Sequence, residues 1–67
     1  MLGKNKELIN KVTLDVILSV IENYRPLGIF YTKEDGRYVG VDNRTGDAWT
    51  ELFRSKRKCK KWLRGYN

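Results

Sequence analysis

The residues best suited to chemistry are cations near the end of the chain. Lys56, Arg57, Lys60, Lys61 and Arg64 fall within FRSKRKCKKWLRG, where seven of the eleven residues from Arg54 to Arg64 are basic and none is acidic. Cations at that density meet phosphates and other polyanions through charge alone and perform no covalent step. Ser55 suits the N-cap of a short helix and Gly65 its stop. On that helix Cys59, Trp62 and Leu63 share one apolar face, while Lys60, Arg64, Arg57 and Lys61 fill a contiguous arc of about 100° on the other. Lys56, Arg57 and Lys58 occupy the first turn, where the helix dipole disfavours each cation by roughly 0.3–1 kcal/mol before screening. A phosphate near Ser55 would meet first-turn N–H groups and three cations together. The candidate nucleic-acid-binding set is therefore Ser55, Lys56, Arg57, Lys60, Lys61 and Arg64. The competing reading is the plain solvated side of an anchored amphipathic helix.

The asymmetry of charge supports the first reading. Net charge is +6, yet residues 1–53 carry seven Lys/Arg against eight Asp/Glu, a balance of −1. Residues 54–67 carry seven Lys/Arg and no acid. The basic character of the protein thus sits in its last fourteen residues, a pattern that points to a polyanionic partner.

Other chemistries find little support. With no histidine and one cysteine, neither a structural zinc site nor a disulfide is expected. Asp42-Asn43-Arg44-Thr45-Gly46-Asp47 looks like a calcium loop, but Arg44 stands where an oxygen ligand belongs and no Glu follows at the twelfth position. Asn and Gly as turn formers account for it. No serine or cysteine has a nearby base, and no glycine-rich phosphate loop is present, so neither catalytic residues nor a cofactor is expected. Cys59 has cationic neighbours, but its apolar face argues against a reactive thiolate. Tyr31, Tyr38, Trp49 and Phe53 could stack bases on a sheet; core beneath a helix is the commoner use of such a set.

The elements that must position these residues can be read from periodicity. Sixty-seven residues make one small domain, 1–67, of marginal stability. Residues 5–24 read as a helix, with Asn5 as cap, Glu7 in the first turn and Arg25-Pro26 beyond its end. Its apolar residues, among them Leu14, Ile17 and Ile21, span an arc of about 200°, wider than one small sheet covers. Self-association through Leu14, Ile17 and Ile21 is the alternative function, with the basic helix meeting an acidic protein surface. Alternation of Val12, Leu14, Val16, Leu18 and Val20 also admits a strand.

Residues 27–53 read as a three-stranded antiparallel meander. Asp35-Gly36 suits a two-residue type I′ hairpin, which sets Glu34 opposite Arg37, Thr32 opposite Val39 and Phe30 opposite Val41. A four-residue loop at 43–46 then sets Trp49 beside Gly40. One face carries Phe30, Val39, Val41, Ala48 and Leu52; the other carries Ile29, Tyr31, Tyr38, Gly40, Trp49 and Phe53. The expected fold is α+β in the order α-β-β-β-α. The N-terminal residues do not read as a secretory signal and the apolar run is broken by Thr13, Asp15 and Ser19, so no membrane span is expected and the location read is cytoplasmic.

Two resemblances follow from these residues. The stretch from Tyr38-Val39-Gly40-Val41-Asp42-Asn43 through Gly46-Asp47-Ala48-Trp49-Thr50-Glu51-Leu52-Phe53, followed by a basic helix ending Lys61-Trp62-Leu63, resembles small uncharacterised proteins of Gram-positive bacteria and their phages or mobile elements. That likeness covers the C-terminal half and implies no activity. Three strands with a packed C-terminal helix are also similar in architecture to the arm-binding domains of tyrosine integrases, whose sheet enters the major groove. Here the basic residues lie on the helix instead.

Overall fold

Two helices pack on opposite faces of a four-stranded mixed sheet in a computed structural model that describes residues 8–65. The elements are β1 (Ile9–Lys11), α1 (Leu14–Asn23), β2 (Gly28–Glu34), β3 (Arg37–Asn43), β4 (Trp49–Phe53) and α2 (Lys56–Leu63). Strand order is β1-β2-β3-β4, with β1 parallel to β2 and the remaining pairs antiparallel. The fold is α+β, as the sequence indicates, but the sheet holds one strand more than a three-stranded meander.

The extra strand comes from the segment expected to begin the first helix. Ile9, Asn10 and Lys11 pair with Ile29, Phe30 and Tyr31, and the Val12 N–H donates to the Tyr31 carbonyl at 2.9 Å. The Asn10 amide adds a bond to the Ile29 carbonyl at 3.2 Å. Without β1 the outer edge of β2 would leave its backbone groups unpaired, and β-branched Ile9 and Val12 suit extended backbone. Helix formation starts instead at Thr13, whose hydroxyl accepts from the Val16 N–H at 3.3 Å. Asn5 and Glu7, the expected cap and first-turn acid, lie outside the described residues. At its far end α1 closes on Tyr24, left-handed at φ 60°, whose N–H donates to the Val20 carbonyl at 2.7 Å; the Arg25–Pro26 bond that follows is cis.

The hairpin at Asp35-Gly36 forms as its residues require, both at positive φ (51° and 74°). Glu34 faces Arg37, Thr32 faces Val39 and Phe30 faces Val41. The next connection differs. Asp42 pairs with Trp49 and Gly40 with Glu51, so Trp49 does not lie beside Gly40. Asn43 causes the difference: it stays in β3 opposite Gly28, wholly buried. Its side chain donates to the Pro26 carbonyl at 2.8 Å and accepts the Ala48 N–H at 2.9 Å. This latch keeps Asn43 out of the turn and shifts the pairing by two residues. A slip of two preserves which face each side chain takes, so the two expected faces survive.

Each face has its own core. Ile17 and Val20 of α1 pack with Phe30 and Val41, flanked by Val12, Ile21, Val39 and Ala48. On the other side Cys59 and Leu63 of α2 pack with Ile29 and Tyr31, flanked by Ile9, Tyr38, Phe53 and Trp62.

Candidate nucleic-acid interface

The hydroxyl of Ser55 begins α2 by accepting the Lys58 N–H at 3.1 Å, and its carbonyl accepts from Cys59 at 3.1 Å. Gly65, at φ 89°, ends it, with its N–H donating to the Trp62 carbonyl at 2.9 Å. Between those ends Cys59 and Leu63 are fully buried. They descend onto Gly40 of β3, where a Cβ would stand 3.0 Å from the Cys59 sulfur and 3.5 Å from Leu63. A bare strand glycine lets α2 approach the sheet this closely. Trp62 leans on Phe53 with ring centroids 5.6 Å apart.

That anchoring decides where the cations go. Lys56, Arg57, Lys58, Lys61 and Arg64 are exposed, and Lys60 is half-buried with its ammonium 5.5 Å from the centre of the Tyr31 ring. Lys33 on β2 stands 5.9 Å from the centre of the Tyr38 ring. Tyr31 and Tyr38 occupy the same sheet face as Gly40, so the cationic surface of α2 continues onto the sheet at Lys33. Among the described residues the only ion pair joins Arg44 to Asp42 at 2.6 Å; none of the cations from Arg54 to Arg64 has a carboxylate partner. The structure thus brings Lys56, Arg57, Lys60 and Lys61 onto α2, with Arg64 at its C-cap. Ser55, in the same set, is engaged as the helix cap.

The self-association set is distributed differently. Ile17 is fully buried in the core under α1, and Ile21 is half-buried against it. Leu14 is half-buried at the first turn. The sheet takes up most of the apolar arc, because α1 is shorter than the expected helix and lies over β2 and β3. Its exposed apolar residues are Val16 and Leu18.

Other groups serve the fold. Asp42 accepts two bonds from the Arg44 guanidinium, at 3.0 and 2.6 Å, and these hold its carboxyl below the usual range despite partial burial. Asp47 accepts from the Thr45 hydroxyl at 2.7 Å. The loop that looks like a calcium site is thus held together by its own side chains, and no group of three or more potential metal ligands occurs among the described residues. Burial pushes the Cys59 thiol up to about 11, with Lys60 pulling weakly the other way, so the sulfur is a packing group rather than a thiolate. Among the described residues no helix is long and apolar enough to cross a membrane.

Trp49, which the sequence places beside Gly40 and among the rings able to stack bases, instead stands opposite Asp42, 63% exposed and outside both cores. The Asn43 latch that displaces it gives no local signal, since Asn at a turn reads as a turn former. Compared with protein-family models, with curated proteins and with solved structures, the chain matches none.

Proposed function

We propose that the protein is a small non-catalytic binding module whose α2 surface contacts nucleic-acid phosphate. The observation that carries this reading is the row of exposed α2 cations with no carboxylate partner among the described residues. A folded chain that needs only solubility mixes its surface charges; here like charges crowd one helix, including a first turn whose dipole opposes them. A polyanion relieves both costs. Lys56, Arg57, Lys60, Lys61 and Arg64 make the phosphate contacts, and binding is electrostatic with little sequence preference.

A salt series tests it. Affinity for a labelled duplex and a labelled single strand should fall steeply as salt rises, because bound phosphates release counterions. Arg57→Glu with Lys61→Glu should lower affinity at least about ten-fold at low salt, with an unchanged circular dichroism spectrum. Binding that is absent at low salt, or indifferent to salt, would sink the reading. Self-association is the weaker alternative, because burial of Ile17 leaves Val16 and Leu18 to mediate it; sedimentation of Leu18→Glu against the parent chain tests it.

A further inference from the structure

We propose that the nucleic acid taken up is single-stranded and that Trp49 stacks on one of its bases. The inference rests on the phosphate reading and adds a second, independent observation to it. Gly40 lies beneath Cys59 and Leu63 of α2. Two residues along β3, Asp42 points to the same face, and its partner across the ladder is Trp49. Trp49 therefore rises from the α2 side of the sheet, 63% exposed and outside the core that α2 closes.

The other aromatic rings on that face are engaged. Tyr31 is buried with Lys60 over it, Tyr38 has Lys33 over it, and Phe53 packs against Trp62. Trp49 is the open ring on the sheet face that carries the cationic helix. Proteins that hold single strands combine these two parts, a basic track for the backbone and an aromatic plane for unpaired bases. A duplex keeps its base faces inside the stack and could use only the track.

The local charges fit this division. Asp42, opposite Trp49, is already paired with Arg44. Glu51, exposed on the same face of β4 and paired with Gly40, disfavours phosphate over β4 itself, which leaves the phosphate track to the cations of the helix.

The chain has two tryptophans, so Trp62→Phe makes Trp49 the sole indole reporter. This protein is titrated at low salt with oligothymidylate, oligouridylate and a mixed-sequence duplex of equal length. Quenching of Trp49 by either single strand, with weaker quenching by the duplex, is the expected result; which single strand binds tighter assigns DNA or RNA. Trp49→Ala should weaken single-strand binding about ten-fold without altering its salt slope or the duplex affinity, and Trp49→Phe should restore most of the loss. If single strand and duplex bind alike with salt dependence, and Trp49 neither quenches nor matters, the stacking inference falls while the phosphate reading stands. If neither ligand binds at low salt, both fall. Should Trp49→Ala fail to fold, the quenching titration alone decides.

Discussion

The two helices of this protein solve the same packing problem and present opposite surfaces. Each places two fully buried side chains on the sheet, Ile17 and Val20 from α1, Cys59 and Leu63 from α2. Each is capped by a hydroxyl, Thr13 or Ser55. Outward, α1 carries Asp15 and Glu22 with no basic residue, whereas α2 carries Lys56, Arg57, Lys58, Lys60 and Lys61 with no acidic one. Because α1 meets the demands of folding without a cationic face, folding does not explain why α2 has one. Within one molecule, α1 thus serves as an internal control for the polyanion reading of α2.

Core truncation should give the largest effects. Ile17→Ala and Leu63→Ala should each cost about 2–5 kcal/mol in urea denaturation. Under conditions where both variants remain folded, only Leu63→Ala should weaken oligonucleotide binding, since it loosens the helix that bears the cations. Equal loss from both would show that the surfaces are not functionally distinct.

Gly40 lies under α2 and has no counterpart beneath α1 among the glycines of the sheet. Gly40→Ala should destabilise by about 1–3 kcal/mol, because the new methyl meets the Cys59 sulfur at 3.0 Å. In a Cys59→Ala background the same change should cost less, and a double-mutant cycle by thermal melting would measure the coupling. Strict additivity would mean that α2 does not press on Gly40 as described.

The caps give a smaller effect. Ser55→Ala and Thr13→Ala should each cost about 1 kcal/mol. Only Ser55→Ala should also reduce binding, by fraying the turn that carries Lys56, Arg57 and Lys58.

The smallest effect concerns acid. Hydrogen bonding to Arg44 lowers the Asp42 pKa in the folded state. The stability this supplies is present above the unfolded carboxylate pKa, near 3.9, and is lost as pH falls through the folded value. The pair is partly exposed, so about 0.5 kcal/mol is expected. Asp42→Asn should flatten the acid limb of stability by that amount in pH-resolved melting. An unchanged limb would remove the pair from the account.

Much of this was legible in the residues themselves. Asp35-Gly36 demands positive φ twice and so declares its hairpin, and alternation along β2 and β3 sorts their side chains to two faces. Ser55, Gly65 and the spacing of Cys59, Trp62 and Leu63 delimit α2 and decide which of its sides is cationic. These are short-range constraints, each contained within a few neighbouring residues. The candidate interface was legible for the same reason, since charge on a helix follows from spacing once its apolar side is known.

Tertiary structure decided what depends on distant partners. Ile9–Lys11 became a strand because the edge of β2, twenty residues away, offers backbone bonds that a longer helix would leave unmade. The β3–β4 register moved by two because Asn43 reaches back to Pro26, and that shift left Trp49 exposed on the α2 face of the sheet. Ile17 turned inward because the sheet stood ready to cover it. Local periodicity determined the elements; pairing and burial between remote segments determined which surfaces remained open.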